Sequence, residues 1–252
     1  MPAHRISVLF YMHYNQTWDG YINYSPIHMI KWSGYKPNWH RGTQNNIYTK
    51  FKDCMQWFYD NNYICNFDKE LFIQNTLQSS LLNFEKLLPN TNFGVVYDFE
   101  LNAIMNYVSS YKPLNKSILL LVLSYVRAFT WYRAFQLTGH SESSKKSKPE
   151  IFHSQFTVMS NFIGVNEKLI SKATSILDEL GIIKTYRMPN YQDHEGTWHT
   201  DDIIYVSPYK IISVNKKMIV CSKDDYDYKK ELQNGISYLR EAKYTSKKFY
   251  QD

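Results

Sequence analysis

Residues 161–187 carry the pattern from which the fold is predicted, and they read NFIGVNEKLISKATSILDELGIIKTYR. Gly164 follows a short apolar stretch, and a glycine at this point allows the left-handed conformation that ends a helix. Asn166 has a side chain suited to capping a following helix. Two helices joined by a tight turn are therefore predicted on either side of Gly164.

The two helices have different apolar patterns. The first follows Ser154, its predicted N-cap, and carries Phe156, Val158, Met159, Phe162 and Ile163. The second has a predicted core-facing stripe at three- and four-residue spacing, formed by Leu169, Ala173, Ile176, Leu177 and Leu180. Its opposite face is polar and consists of Glu167, Lys168, Ser171, Lys172, Thr174 and Ser175. Such a pair is a helix-turn-helix with one solvent-facing polar surface.

The segment after the second helix has the pattern of two strands joined by a long polar tip. Gly181 ends the helix, residues 182–187 alternate like a strand, and residues 202–206 form a returning strand after the polar tip 190–201. Residues 154–206 are therefore predicted to form a winged helix-turn-helix. The quoted phrase resembles winged-helix DNA-binding domains, in which a helix ending in Leu-x-x-Leu-Gly-Ile-Ile leads into the wing.

A long helix is predicted before this segment, over residues 114–137, as the first helix of the same domain. Its core-facing residues are Ile118, Leu119, Val122, Val126 and Phe129. Residues 139–149 are rich in serine and lysine and predict a loop. The lysines of this loop, Lys145, Lys146 and Lys148, either contact phosphates or simply lie in solvent.

The first half of the chain shows the same order of elements in weaker form. Residues 6–14 predict a helix, and Ser25 with Pro26 predicts the cap and first position of a second helix, which continues through Ile27, Met29 and Ile30. A turn over residues 35–42 follows Gly34, and Thr43 is the predicted cap of a helix over residues 44–61. The stripe of that helix repeats the spacing of the later one at a constant offset, with Ile47, Phe51, Cys54, Met55 and Phe58.

This repetition predicts an internal duplication, although an ordinary helical bundle has the same spacing. Residues 63–68 and 70–74 would form a small wing. Further on, residues 93–97 are strand-like, Asp98 caps a helix, and residues 211–220 add one or two strands. Residues 226–242 predict a terminal helix, which either lies in solvent or binds a partner. The predicted domains are 1–88, 89–220 and a tail, 221–252. The predicted fold class is mostly α with small β-wings (α+β), with two tandem winged helix-turn-helix domains.

Composition limits the function classes. The 252 residues contain 44% hydrophobic residues, with a net charge of +6 and a pI near 8.9, which suits a polyanionic partner. Cys54, Cys65 and Cys221 have no CxxC spacing, so neither a zinc site nor a disulfide framework is predicted. No signal peptide or membrane span is predicted. We therefore expect a cytoplasmic protein that is not associated with a membrane.

The exposed face of each second helix is the predicted DNA-reading surface, because a helix fits the major groove. In the second half the candidates are Asn166, Lys168, Ser171, Lys172 and Thr174. In the first half they are Gln44, Asn45, Tyr48, Thr49 and Lys52, preceded by His40 and Arg41. Phosphate contacts are predicted from Lys31, Lys36, Arg41, Lys184 and Arg187. The amide side chains favour adenine, so an AT-rich target is predicted.

Catalytic motifs do not occur in the sequence. There is no His-x-His pair, no GxxxxGK[ST] phosphate loop, no GxSxG elbow and no HExxH. The wing tip contains a group of residues that could each bind a metal ion: Asp193, His194, Glu195, His199, Asp201 and Asp202. Polar wing tips are common, however, and no metal site is predicted. We expect no enzymatic activity and no cofactor.

Two winged-helix units in one basic chain resemble the replication initiators of plasmids and the replication proteins of bacteriophages, including those with a DnaD-like amino-terminal winged helix. The resemblance rests on residues 156–186 and on residues 25–64. It implies sequence-specific binding of double-stranded DNA for replication initiation or its control on a mobile element. It also implies repeated origin sequences as targets, and a helicase loader, other replication proteins or a homodimer partner. A transcriptional regulator (repressor) and a protein-interaction module remain the alternatives.

Overall fold

The computed structural model describes residues 3–37, 46–83, 95–108, 114–130, 149–192, 196–199, 202–214, 217–221 and 226–244. Within these ranges the chain is a mixed α+β protein with small antiparallel sheets, which confirms the predicted fold class at that level. The helices are α1 (Ala3–Tyr14), α2 (Pro26–Trp32), α3 (Ile47–Asp60), α4 (Lys69–Ile73), α5 (Asp98–Asn106), α6 (Lys116–Phe129), α7 (Phe156–Ile163), α8 (Glu167–Glu179) and α9 (Tyr228–Tyr244). The strands are β1 (Tyr21–Tyr24), β2 (Gln78–Leu81), β3 (Phe152–Ser154), β4 (Lys184–Arg187), β5 (Tyr191–Gln192), β6 (Trp198–His199), β7 (Ile203–Val206), β8 (Ile211–Val214) and β9 (Lys217–Val220).

The second unit, our name for the described residues from 116 to 206, contains α6, β3, α7, α8, β4 and β7 in chain order. The central strand is β7, which pairs antiparallel with β3 on one side and with β4 on the other. The short pair β5–β6 lies within the predicted tip between β4 and β7. Gly164 and Gly181 both have a φ of 69°, so each supplies the left-handed conformation expected of it at the end of its helix.

The C-terminal helix α9 packs on the sheet of the second unit. Alternate residues of β7 face opposite ways: Ile203 and Tyr205 join the core with α6, α7 and α8, whereas Ile204 and Val206 pack with Ile236 of α9. A Cβ atom added at Gly235 would lie 2.7 Å from Ile151 Cδ1, so α9 approaches the sheet closely there. Helix α9 is therefore buried along one face, in contrast to the predicted alternative of a solvated helix.

Polar contacts also hold α9 in place. Glu150 N donates to Glu231 Oε2 at 2.9 Å, and Lys210 Nζ lies 2.6 Å from Glu150 Oε1. Glu150 and Glu231 are both buried: Lys210 balances the charge of Glu150, and the backbone N–H of Glu150 hydrogen-bonds the Glu231 carboxylate.

The first unit, our name for the described residues from 3 to 83, has a closely similar order: α1, β1, α2, α3, α4 and β2. Strand β2 pairs antiparallel with β1, and the residue after it, Leu82, forms an antiparallel bridge with Ile64. The returning strand is thus flanked on both sides, as β7 is. Gly34 after α2 and Asn62 after α3 have positive φ values, at the places that Gly164 and Gly181 occupy in the second unit.

The predicted wing of the first unit was wrong. Residues 70–74 do not form a strand, because Asp68 caps a helix: its Oδ1 accepts hydrogen bonds from Glu70 N at 2.8 Å and Leu71 N at 3.0 Å. Phe72 is fully buried and anchors α4. The buried Gln78 amide bonds Asp68 N and Asp68 O, both at 3.0 Å, and so joins the start of α4 to β2.

Two predicted N-caps lie elsewhere. Ser154 belongs to β3, where it pairs with Ile203, and Gln155 takes the cap position of α7. The cap of α3 is Asn46 rather than Thr43, since Asn46 Oδ1 accepts from Tyr48 N at 3.0 Å. Strand pairing and a competing amide cap explain both differences.

Two further predicted elements, α6 and the segment before α5, differ as well. Helix α6 ends at Phe129, because Thr130 turns to extended backbone with φ −67° and ψ 126°, so the predicted end at residue 137 was wrong. Residues 95–97 form no strand. At α5 the cap is Tyr97 rather than Asp98, and Glu100 Oε2 accepts from Tyr97 N at 2.8 Å. The predicted loop lysines Lys145, Lys146 and Lys148 lie outside the described residues.

Helices α1 and α6 pack against each other and join the two units. The face of α1 formed by Val8, Tyr11 and Met12 is buried in the first unit's own core. The opposite face, with Ala3, Ile6 and Phe10, packs on the core that contains α6. Helix α6 is buried on every side, because its consecutive residues 119–123 are all buried.

A buried polar network fixes α5 and the exit of α8 relative to α6. Arg127 donates to Glu100, and Tyr209 Oη donates to Glu100 Oε1 at 2.5 Å. Arg127 also lies 3.4 Å from the carbonyl oxygen of Ile182, just after α8. The buried carboxylate and guanidinium balance each other, which is the condition for keeping both charges in the interior.

One exposed aromatic side chain is held at the apex of an ordered turn. Gly20 N donates to Thr17 O at 3.0 Å, and Thr17 Oγ1 lies within hydrogen-bond distance of two acceptors, Asp19 Oδ1 at 2.5 Å and Tyr21 O at 2.8 Å. Trp18 lies at the tip of this turn and is 99% exposed.

The helical assignment of residues 69–73 predicts different effects for two neighbouring substitutions. Phe72→Ala removes a fully buried ring and should lower the free energy of unfolding by about 3–5 kcal/mol. Ile73→Ala, at a side chain 52% exposed, should cost less than about 1 kcal/mol. Urea unfolding followed by circular dichroism measures both. Equal losses at the two positions would contradict the packing of α4.

Candidate nucleic-acid interface

The helix pair α7–α8 is positioned by its turn. Asn166 caps α8 as predicted, because its Oδ1 accepts from Lys168 N at 2.9 Å. Val165 returns to the core as predicted. Helix α8 then packs on α6 with one face and on α7 and β4 at its sides. Its remaining side is left to solvent.

The buried stripe of α8 differs from the predicted one. Ile170 is fully buried, whereas Leu169 is 38% exposed and Leu180 is only half-buried. Thr174, predicted to contact DNA, is only 4% exposed, and its hydroxyl donates to Ser171 O at 3.0 Å. A threonine can be buried in this way because the backbone carbonyl satisfies its hydroxyl.

The sequences of α3 and α8 match better in burial when the left-handed residues that follow them, Asn62 and Gly181, are aligned than when the predicted apolar stripes are aligned. With these residues superposed in sequence, Phe51, Cys54, Met55 and Phe58 correspond to Ile170, Ala173, Thr174 and Leu177, and every residue of both sets is buried. The buried residues of α3 and α8 therefore match when one sequence is shifted by about one helical turn from the predicted alignment. Thr174 takes the position of Met55, which explains its burial.

The solvent side of α8 includes Lys168, Ser171, Lys172 and Ser175, and Glu167 and Glu179 are exposed at its two ends. Lys168 and Ser175 are exposed, and Ser171 and Lys172 are half-buried. The cationic pair lies in the first half of the helix, while Asp178 and Glu179 lie in its last turn. Phosphate is therefore favoured near the N-terminal half of α8 and disfavoured near its end.

A cleft of about 440 Å³ separates the C-terminal half of α8 from β4. Its polar lining includes Ser171, Ser175, Asp178, Thr185 and Arg187. Phe156 and Ile203 contribute apolar lining. Ser171 and Ser175 thus belong both to the lining of this cleft and to the outer side of α8.

Asp178 ties the end of α8 to β4. Lys184 Nζ lies 2.7 Å from Asp178 Oδ1, and Thr185 donates to Asp178 Oδ2 through N and through Oγ1, each at 2.9 Å. Burial works to raise the pKa of Asp178, but the hydrogen bonds from Lys184 and Thr185 outweigh it and lower the pKa. Lys184 was predicted to contact phosphate, but its charge is balanced by Asp178. Arg187, the other predicted phosphate contact on β4, is exposed.

The base of the tip between β4 and β7 is also held by specific contacts. His153 Nδ1 lies 2.7 Å from Asp202 Oδ2, and Met188 N donates to Asp202 O at 3.1 Å. Asp202 thereby connects β3, the exit of β4 and the start of β7.

Only some of the residues predicted to form the DNA-reading face of α3 lie on its outer side. Thr49 and Lys52 are half-buried and lie on its outer side. Tyr48 faces inward, with its ring centroid 5.2 Å from that of Phe72, and burial raises its pKa to about 12. Tyr48 was predicted to contact DNA, but its side chain packs inside the first unit instead.

Several predicted residues are not placed. His40, Arg41, Gln44 and Asn45 lie outside the described residues. Lys31 and Lys36 are exposed in the first unit. Ser175 was predicted on the polar face of its helix but not among the DNA contacts, and Gln56 was not predicted. The two occupy equivalent outer positions when Asn62 and Gly181 are aligned. The signal that identifies them is the residue of positive φ after each helix, because it sets the register of the helix before it.

Most of the acidic and histidine cluster in the wing tip has no described side chain, so the absence of a metal site stays a prediction. Among the helices that the structure describes, none combines the length and apolarity needed to cross a bilayer. No family model matches the chain, and neither a curated protein nor a solved structure is significantly similar to it.

The register of α8 predicts opposite responses at two adjacent positions. Thr174→Lys places a charge in the core and should lower the free energy of unfolding by about 3 kcal/mol or more. Ser175→Lys adds the same charge at an exposed position and should change it by no more than about 0.5 kcal/mol. Chemical denaturation compares the two variants with the unmodified chain. A tolerated Thr174→Lys would show that the register is wrong.

The lowered pKa of Asp178 predicts a pH-dependent contribution to stability. A carboxylate whose pKa is lower in the folded state stabilises the fold above its unfolded pKa, near 4, and loses that effect as pH falls through the folded value. Asp178→Asn should therefore be less stable than the unmodified chain at pH 7, and the difference should shrink on acidification. Urea midpoints measured at pH 7 and about pH 3 test this. A difference that does not depend on pH would contradict the role of the ionised carboxylate.

Proposed function

We propose that this protein binds double-stranded DNA in a sequence-specific manner through two tandem winged helix-turn-helix units, with α8 and α3 as the recognition helices. The observation that carries the proposal is the solvent side of α8, where two lysines and two serines project next to a strand–tip–strand segment. A helix of this kind fits the major groove, and a neighbouring wing reaches the adjacent backbone.

The charge distribution supports the docking direction. Lys168 and Lys172 in the first half of α8 provide the attraction to phosphate, and Arg187 adds a cation on β4. Ser171 and Ser175 are placed to donate to base edges or to the sugar-phosphate backbone. The acidic last turn of α8 keeps that end away from phosphate, so the N-terminal half enters the groove. This is the usual orientation of a recognition helix.

The two units would contribute unequally. The second has the elements of a wing, whereas α4 takes that place in the first and exposes Leu71 and Ile73 beside Glu70. Such a surface does not favour phosphate. The first unit would therefore read DNA through α3, with Thr49, Lys52 and Gln56, and without a wing contact.

The setting that we propose is replication initiation or its control on a plasmid or phage, in the cytoplasm, with a helicase loader or other replication proteins as partners. It follows from the resemblance of residues 156–186 and 25–64 to replication initiators. A transcriptional repressor would use the same surface. Genomic context distinguishes the two, because an initiator gene lies beside origin repeats, whereas a repressor acts at a neighbouring promoter.

The proposal predicts that Lys168→Ala with Lys172→Ala weakens binding at least about tenfold to a duplex selected from a random pool. The slope of log affinity against log salt should fall by about 2, one for each lost phosphate contact. Fluorescence anisotropy across a salt series measures both quantities.

The matched control is Lys229→Ala with Lys230→Ala, which removes two exposed lysines from α9, on the opposite face of the sheet. This pair should leave both affinity and salt slope nearly unchanged. Equal losses in the two double variants would indicate binding by overall charge alone. If the random pool yields no enriched motif, sequence-specific binding is wrong and a protein-interaction module becomes the better explanation.

A further inference from the structure

We propose that the first unit carries a docking surface for a basic, amphipathic helix of a partner protein. The surface is the outer face of its sheet, formed by Tyr21, Asn23, Leu77, Ser79 and Leu81, and we name it the outer face of the first unit. The inference concerns a protein partner and does not depend on DNA binding.

The sheet of the first unit has one buried and one exposed face. Ile22 and Tyr24 of β1 are fully buried in the first unit's core. The residues between and before them face the other way, and they pair across the ladder as Tyr21 with Leu81 and Asn23 with Ser79. Burial alternates at every residue from 77 to 82, so Leu77 continues the exposed set.

The exposed set contains large apolar and aromatic side chains. Leu77 is 67% exposed, Tyr21 45% and Leu81 38%. Tyr21 and Leu81 are direct cross-strand neighbours, so their side chains adjoin. Trp18 is also exposed, in the turn that hydrogen-bonds to Tyr21. A contiguous exposed patch of such side chains is typical of a site that binds another protein.

The second unit shows what covers the equivalent face. Strands β1 and β2 and residue Ile64 correspond to β3, β7 and β4, because the returning strand is flanked in the same way in both units. The outer residues of β7, Ile204 and Val206, are buried beneath Ile236 and Leu239 of α9. The occupant that this fold accepts on the outer face of its sheet is therefore an amphipathic helix.

Helix α9 also shows the pattern such a partner needs. Its sheet-facing residues recur at three- and four-residue spacing, as Tyr228, Leu232, Ile236 and Leu239. Since Ile236 and Leu239 are buried on the second unit, α9 is already in use there. The helix for the outer face of the first unit is therefore assigned to a partner protein.

Charge determines the flanks of the partner helix. Residues 15–25 and 64–82, which contain the sheet of the first unit, carry three acidic residues and one basic residue, all exposed: Asp19, Asp68, Glu70 and Lys69. This part of the chain is acidic, although the whole chain has a net charge of +6. Helix α9 has the opposite balance, with four basic and two acidic residues: Lys229, Lys230, Arg240, Lys243, Glu231 and Glu241. A helix with an excess of lysine or arginine beside its apolar stripe complements the acidic surroundings.

The experiment selects helices from a displayed peptide library with the full-length chain as target. The library is built on residues 226–244, with positions 228, 232, 236 and 239 varied among apolar residues and the basic residues retained. Fluorescence anisotropy of the labelled winner measures its affinity for the chain and its variants. Leu81→Lys should weaken binding at least about tenfold, because it places a cation within the apolar surface that the helix covers.

The matched control is Val158→Lys, which adds the same charge at an apolar residue 54% exposed on α7. It should leave the affinity of the peptide nearly unchanged. Both variants should melt at nearly the temperature of the unmodified chain, since both side chains are exposed. If Leu81→Lys fails to fold, Leu77→Lys replaces it, with the same expected loss of binding.

Three outcomes would overturn the inference. One is a library that yields no helix able to bind the chain, and another is a winner that binds the Leu81 and Leu77 variants as tightly as the unmodified chain. The third is a dimer of the chain alone, detected by sedimentation velocity, that Leu81→Lys dissociates and Val158→Lys does not, because the occupant would then be a second copy. None of these variants lies on α3 or α8, so the result is independent of the proposed function.

Discussion

The packing of α1 against α6 is the contact on which the rest of the molecule depends. Helix α6 is apolar and buried on all sides, so it needs neighbours in every direction, and its own unit supplies only some of them. Ala3, Ile6 and Phe10 provide the missing side. Exposing that side would cost several kcal/mol, at about 25 cal/mol per Å² of apolar surface. The two units are therefore parts of one folding structure rather than two modules on a linker, and the relative position of α3 and α8 is built into the core.

Within the second unit, one partly exposed and one buried charge pair fix the helix that carries the candidate site. Asp178 accepts from Lys184 and Thr185 and so joins the end of α8 to β4. Arg127, paired with Glu100, reaches the carbonyl oxygen of Ile182 from α6. Both act at the C-terminal end of α8, where the backbone changes direction. The N-terminal half, with Lys168 and Lys172, lies away from both of these arrangements.

The sequence predicted the helix–turn–helix–strand order of the second unit because its ends are marked by strong local signals. Gly164, Asn166 and Gly181 adopt the expected turn, cap and left-handed conformations. The errors lie where spacing alone was used. A stripe at three- and four-residue spacing fits two alignments one turn apart, and only tertiary packing shows that Thr174 is buried and Leu169 is not. The same holds for α4, where the cap formed by Asp68 and the burial of Phe72 outweighed a strand-like pattern. Lys168, Ser171 and Lys172 were thus predicted as DNA contacts, whereas Ser175 was predicted only as part of the polar face and Gln56 was not predicted.

The turn that presents Trp18 has a spectroscopic consequence. An indole that is fully exposed in the native chain meets nearly the same solvent after unfolding, so its emission changes little in the transition. Trp32 and Trp57 are half-buried: the first lies 5.7 Å from the ring of Tyr11, and the second 4.2 Å from the guanidinium carbon of Arg5. Their emission responds to loss of the fold. A collisional quencher added to the native protein reaches Trp18 before either of them. Among the tryptophans whose side chains the structure describes, Trp18 therefore senses solvent at the α1–β1 turn, and Trp32 and Trp57 sense the core.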